Sequence, residues 1–314
     1  NELYMLGEDF TAIETRLLEK TARILTPDIL TSALPAHGVV HASPIEPGYL
    51  ITKESGMYYE NDLLTQKLSA RSISFYPACD TLLYKADVKY MVCDDILYQV
   101  DHTLSKTMIA RTETRTPART VWLGLAVDDS LTDLENISFY LDFPNLTESY
   151  EYLFLLPCTE WSAGGTPIRM EPGIYEKSRL PEEYTRAFFR SYDVMSVIDK
   201  EVMELYNKHF LRVSQPVPLN EVDKEPLPKA LSSCFGERVR EKMQEKLVWV
   251  KIVFPAHFTP EILEELHAGI NIVPVENKLL HEQTTSLEDT FRVIPLRTGN
   301  YESLLSVHSV KDSD

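Results

Sequence analysis

Glycine is scarce in this chain, with 11 among 314 residues, about half the roughly 7% usual in proteins. Loops that cradle phosphates need glycine where backbone meets ligand, and neither G-x-G-x-x-G nor G-x-x-x-x-G-K-[ST] occurs. The pair Gly164-Gly165 in "EWSAGGTP" has no suitable helix start behind it and reads as a plain turn. Long apolar runs are also missing: "YLFLLP" falls far short of the roughly 20 residues a membrane-spanning helix needs. No basic stretch followed by an apolar one opens the chain, so no secretory leader is visible. The sequence begins at Asn1 and closes on "VKDSD" after an apolar strand, and is expected to be an excerpt of a longer protein.

Basic residues are outnumbered, 31 against 48 acidic, leaving a net charge of −17 and a pI near 4.9. A nucleic-acid partner needs a basic footprint to displace counterions, and none stands out. The same sign argues against an anionic membrane surface. Cysteine is sparse and unpatterned: Cys79, Cys93, Cys158 and Cys234 show no C-x-x-C spacing, which suits buried thiols of a reducing compartment. The protein is expected to be cytoplasmic, with no nucleic acid and no direct membrane insertion.

What is present is core material: 44% of residues are hydrophobic. Residues 1–25 carry a helical pattern in Phe10, Ile13, Leu17 and Ile24, ended by Pro27. From 34 to 118 short β-rich runs alternate with proline, asparagine and aspartate. "TVWLGLAV" reads as a central strand. In "ISFYLDF", Ile137, Phe139, Leu141 and Phe143 alternate with Ser138, Tyr140 and Asp142, which predicts one buried face; "KLVWVKIVF" does likewise through Val248, Val250, Ile252 and Phe254. "DTFRVIPL" and "YESLLSVHSV" supply late strands. A helical insertion is expected over about 182–210, with Tyr184, Phe188, Met195, Ile198, Val202, Leu205 and Phe210 along a stripe. "VSQPVPLNEVDKEPLP" reads as an extended linker. A short helix is expected at 260–268, capped by Thr259, opened by Pro260 and left through Gly269. The fold class is therefore α+β and β-rich, with several antiparallel or mixed sheets arranged like a sandwich. The division expected is an N-terminal helical segment 1–33, a β-rich domain 34–118, and a second β-rich domain 119–314 carrying the insertion.

Little in the chain points to catalysis or metal binding. His37 and His41 in "HGVVH" would chelate from a helix, but Gly38, Val39 and Val40 between Pro35 and Pro44 favour a strand, which sets the rings about 13 Å apart. "HEQT" fails as a zinc motif because Thr285, not histidine, stands four places after His281. No G-x-S-x-G elbow occurs. The acidic pairs Asp94-Asp95, Asp128-Asp129 and Glu182-Glu183 read as solvated faces. No cofactor and no metal are expected.

One stretch carries more. "INIVPVEN", continuing into "KL", resembles a strand of the TssF family of type VI secretion baseplate subunits, which typically reads Asn-Cys-Thr-Pro-Val-Val-Asn-Leu-Phe. Asn271, Pro274, Val275 and Asn277 match, Ile272 stands for the cysteine, and Lys278-Leu279 stand for Leu-Phe. Further landmarks follow in the family's order. Pro35 and the Val39-Val40 run resemble the segment after the N-terminal helix, where many members have Ser-Met at Ala36-His37. Phe139, Tyr140, Leu141 and Asp142 resemble Phe-Tyr-Leu-Asp-Gly, with Phe143 for the glycine. Val307, Ser309 and Val310 resemble a Val-x-Ser-Val element.

The resemblance implies a divergent, non-catalytic wedge component of a contractile injection machine. TssF-like chains associate with TssG-like, TssK-like and TssE-like subunits, with a VgrG-like spike and with other TssF copies, at the cytoplasmic face of the inner membrane. The implied role is mechanical, helping to hold and then trigger sheath contraction. The insertion carries apolar residues on more than one face, Phe188 beside Phe189 and Leu205 beside Tyr206, so these four are candidates for a partner interface; burial within the chain is the bland counterpart. An unrelated β-rich scaffold, or a hydrolase working through two carboxylates, is the alternative.

Overall fold

The computed structural model describes residues 34–59, 73–112, 116–147, 149–174, 202–235, 239 and 243–278, all within one compact unit, 34–283. The N-terminal helical segment, Glu182-Glu183, residues 182–201 of the insertion, His281 and both late strands lie outside the described residues.

The fold is α+β and β-rich, built on antiparallel sheets. Its largest sheet has eight strands. β6 (Ala86–Cys93), β7 (Ile96–Val100) and β8 (Lys106–Arg111) lie to one side of β9 (Thr120–Val127). On the other side follow β16 (Leu247–Val253), β11 (Glu160–Ala163) and β12 (Thr166–Ile168), with β15 (Lys224–Glu225) also pairing β16. This sheet takes strands from both sides of residue 118, so the expected division there runs through continuous β-structure. A second sheet orders β13 (Met170–Pro172), β14 (Phe210–Val213), β10 (Ser138–Asp142) and β17 (His267–Ile270). The principal core lies between the two. From the large sheet come Val121, Leu123, Val250 and Ile252; from the second come Phe139, Leu141, Leu211 and Ile270, all at most 1% exposed.

Each sheet is also covered on its other face. Behind the large sheet, Leu227, Leu231, Phe235 and Met243 pack on Val92, Leu97, Leu247 and Trp249. β16 is thus buried on both faces, not on the single face its alternation predicts. Gly124 makes room for this layer: a Cβ there would stand 3.0 Å from the Trp249 ring. Behind the second sheet, Tyr140, Phe210 and Ile272 pack with Val202 and Met203. Those last two come from the helix Val202–Asn207, the described end of the insertion. The insertion therefore stops earlier than its apolar stripe predicts, and Phe210 opens a strand rather than closing a helix.

A third sheet orders β1 (His37–His41), β18 (Ile272–Glu276), β4 (Ile73–Pro77) and β3 (Met57–Tyr59), and a two-stranded ribbon joins β2 (Gly48–Ile51) to β5 (Thr81–Tyr84). Ile51 and Leu83 of the ribbon pack on Val273 and Val275 of β18.

Two further expectations are corrected. The proline-rich stretch 213–228 is not a surface linker, since Val217, Leu219, Val222 and Leu227 are buried. Its prolines break regular structure without lifting the chain off the core, and Asp133 accepts from the Val217 amide at 3.0 Å to hold it down. The short helix spans only Pro260–Glu264, without a side-chain cap from Thr259. Gly269 stands inside β17 opposite Tyr140, where a Cβ would collide with the Leu104 side chain. Close approach, not helix exit, explains that glycine. The Gly164-Gly165 pair does form the β11–β12 turn, with φ of +55° and +86°.

Candidate functional site

Among the described residues that carry the resemblance, one group runs from Asn271 along β18 to Asn277. β17 and β18 are separated by a single residue, Asn271, where the chain leaves the second sheet and enters the third. That step needs a left-handed backbone, and Asn271 has φ +58°; asparagine tolerates this conformation better than most residues. Its side chain binds the chain between β5 and β6. Oδ1 accepts from the Tyr84 amide at 2.8 Å, while Nδ2 donates to the Tyr84 carbonyl at 2.7 Å and the Ala86 carbonyl at 2.8 Å. Its own carbonyl accepts from the Ala42 amide at 3.0 Å. One buried residue, at the step from the second sheet to the third, thus also binds the ribbon and the large sheet.

Pro274 sits in β18 opposite Val39. Its carbonyl accepts from the Ala78 amide at 2.8 Å, so its missing N–H also lies on the β4 side, where the ladder has run out after two pairs. Val275 is buried beneath the ribbon. Asn277 ends the strand: its amide donates to the Ala36 carbonyl at 2.7 Å, next to the half-buried Pro35, and its Nδ2 donates to the Ser74 carbonyl at 2.8 Å.

The second group lies on β10, next to β17. Phe139 and Leu141 face the principal core, Phe139 against Trp161 with ring centroids 4.9 Å apart. Phe143, which stands where the family has glycine, fills a pocket between Tyr152 and Phe258. Tyr140 does not face solvent as alternation predicts. It is 3% exposed, stacks on His209 at 5.2 Å and meets Phe210 edge-on. Its hydroxyl donates to Asp142 Oδ2 at 3.2 Å. His209 Nδ1 lies 3.3 Å from Asp142 Oδ1 and 3.2 Å from the Leu141 carbonyl. Burial works to raise the Asp142 pKa, but the hydrogen bond and charge of His209, with bonds from the Phe143 amide and Tyr140, outweigh it and hold the carboxyl below its ordinary value. Burial, then the Asp142 charge, pushes the Tyr140 phenol well up. Across the ladder from Asp142 stands His267, whose pKa is lowered first by burial and then by Lys106, against an opposing pull from Asp142.

Of the four candidate interface residues, Phe188 and Phe189 lie outside the described residues, as do Val307, Ser309 and Val310. Leu205 and Tyr206 are half-buried. Tyr206 turns inward: its hydroxyl lies 3.0 Å from His37 Nδ1, and its ring is 6.0 Å from that of His209. The structure therefore links Tyr206 to Tyr140 and Asp142 through His209. Nothing in sequence spacing announces His209; its only trace is a position just ahead of a strand.

The two tempting histidines are engaged separately, His37 with Tyr206 and His41 with Asp87 at 3.4 Å. Among the described residues no group of three or more His, Cys, Asp or Glu side chains could hold a metal ion. Asp95 pairs with Arg111 at 3.2 Å, Asp128 with Lys85 at 2.8 Å and Asp129 with Lys224 at 2.9 Å. These carboxylates brace turns. Burial pushes the thiols of Cys79 and Cys93 up to about 12, which keeps them unreactive. Among the described residues no helix is long and apolar enough to cross a membrane.

No protein-family model matches the chain, and no curated protein matches it. Among solved structures it is similar to a chain of the type VI secretion system TssK-TssF-TssG baseplate subcomplex determined by cryo-electron microscopy. The TM-score is 0.39 at 14% identity, over 91% of this chain and 54% of that one. The chain spans about half the length of that neighbour.

Proposed function

We propose that this chain is part of a TssF-like wedge subunit of a type VI secretion baseplate, acting through protein contacts rather than chemistry. The observation that carries the reading is the fit between resemblance and fold. Asn271, Pro274 and Asn277 are each used for a backbone task that their residue type serves, Asn271 at the step from the second sheet to the third and Pro274 and Asn277 along β18 and at its end. A motif of this kind specifies architecture, as a non-catalytic family motif must. The partners on this reading are TssG-like and TssK-like subunits first, then TssE-like subunits, further TssF-like copies and the VgrG-like spike, at the cytoplasmic face of the inner membrane.

The mechanism is mechanical. A wedge must transmit strain between neighbours without yielding internally, and sheets buried on both faces and pinned by Asn271 suit that demand. Leu205, half-buried at the end of the insertion, remains a candidate contact, whereas Tyr206 serves the molecule's own packing. The test is co-expression with the neighbouring TssG-like reading frame. A soluble complex surviving size exclusion supports the proposal, with Leu205→Lys weakening it while leaving thermal unfolding in place. Elution of the chain alone counts against it.

A further inference from the structure

Most of the large hydrophobic side chains left exposed among the described residues lie between 34 and 58, or beside them on β5. They centre on the β2–β5 ribbon. Its inner face is buried through Ile51 and Leu83, while on its outer face Leu50 stands opposite Leu82, 53% and 41% exposed. Ile45, just ahead of β2, is 91% exposed. An isolated two-stranded ribbon with an open apolar face is an incomplete sheet.

The hydrogen-bond pattern shows which edge is open. The Lys85 amide donates to the Pro47 carbonyl at 3.0 Å, making that pair a bonded one. Alternation along an antiparallel ladder then turns the N–H and C=O of Gly48 and Leu50 away from β5. The same alternation turns the Tyr84 groups away from β2, and there the Asn271 side chain takes both of them. The far edge of β5 is closed at Tyr84 by an asparagine. Among the described residues nothing meets the outward groups of Gly48 and Leu50. Natural edges are usually blunted by a lysine, a proline or a bulge, and Gly48–Ile51 contains none of these.

The rim is acidic. Among the described residues, Glu46, Glu54 and Asp80 are exposed beside the ribbon with only Lys53 against them, Lys85 being tied to Asp128. A second copy would set this rim against itself, with each chain at −17. We propose that β2 accepts an extended segment of a different protein as the third strand of the ribbon. Apolar residues at alternate positions of that segment lie beside Leu50 and widen the stripe it forms with Leu82, and basic residues at its ends face Glu46, Glu54 and Asp80. This inference does not depend on the baseplate reading, because it follows from edge, stripe and charge alone.

The probe is a fluorescein-labelled, N-acetylated peptide, Lys-Thr-Val-Thr-Val-Thr-Lys, titrated into the full 314-residue chain by anisotropy, beside a version with glutamate at both ends. The lysine-ended peptide is expected to saturate, with the glutamate-ended one at least about tenfold weaker. Leu50→Pro deletes an outward N–H that the ribbon itself does not use, and Leu82→Lys puts charge into the stripe without touching the β2 backbone. Each should weaken binding about tenfold with thermal unfolding unchanged; if Leu50→Pro disturbs folding, Leu82→Lys decides. No saturable binding, or equal binding to wild type and Leu82→Lys, overturns the proposal. So does a wild-type dimer in sedimentation that Leu82→Lys dissolves, since the occupant would then be a second copy.

Discussion

Asn271 satisfies two carbonyls and an amide of the β5–β6 connection while holding a left-handed backbone. Those two tasks can be separated. Asn271→Ala leaves the buried groups unpaired and also strains the backbone, and should cost about 3 to 4 kcal/mol in denaturant titration; Asn271→Gly loses the bonds but relieves the strain, and should cost about 1 kcal/mol less. Equal losses would mean the conformation contributes nothing. Gly173 offers a similar contrast. It has φ +93°, and a Cβ there would stand 2.8 Å from Asn207 Oδ1, the atom that accepts from the Ile174 amide. Gly173→Ala should therefore destabilise by about 1 to 3 kcal/mol. The histidine and carboxylate of the β10–β17 ladder set two pH windows. His267 has a lowered folded-state pKa, so as pH falls the unfolded chain takes up the proton first. Its contribution to stability is whole above about pH 6.5 and is lost downward from there through the folded-state value. Asp142, also lowered, contributes above about pH 4 and loses that contribution as acid protonates it. Stability measured against pH should flatten below about pH 6.5 in His267→Gln, and below about pH 4 in Asp142→Asn. Unchanged profiles would remove both groups from the account.

At the scale of elements, β10 is the test of packing. Leu141 is fully buried between the two main sheets, and Leu141→Ala should cost about 2 to 5 kcal/mol; a loss below about half a kilocalorie would place that face outside the core. The strands β10 and β16 were legible from period-two alternation because one of their faces meets a continuous core, and β9 was legible from its apolar run. Their second faces were not. Tyr140 alternates onto the strand face of Ser138 and Asp142, yet α-helical Val202 and Met203 cover it, and coverage of that kind is set by residues more than 60 positions away. Leu247 and Trp249 behave alike, hidden beneath Leu227, Leu231, Phe235 and Met243. The stretch 213–228 misleads for a related reason. Proline reports only that regular hydrogen bonding stops, while Val217 and Leu219 are held down by amides that donate to the Asp133 carboxylate and the Thr132 carbonyl. The site followed the same rule: Asn271 and Pro274 were picked out by the resemblance and their residue types agree with the backbone tasks they serve, whereas His209 acts only through contacts made in space.

At the scale of the whole molecule, the described unit has two main sheets with covered outer faces, joined to a third sheet through Asn271. Its acidic balance suits neighbours of opposite charge over nucleic acid or anionic lipid. Specific, lasting protein interfaces bury on the order of 1,200 to 2,000 Å² in total, enough to survive purification. The most direct measurement is therefore an affinity purification of the tagged, full-length protein from its own cells, with partners identified and quantified by mass spectrometry. The account predicts TssG-like and TssK-like subunits in fixed ratio to the bait, retained through size exclusion. A bait recovered alone, or with partners unrelated to sheath, spike or baseplate, would contradict it.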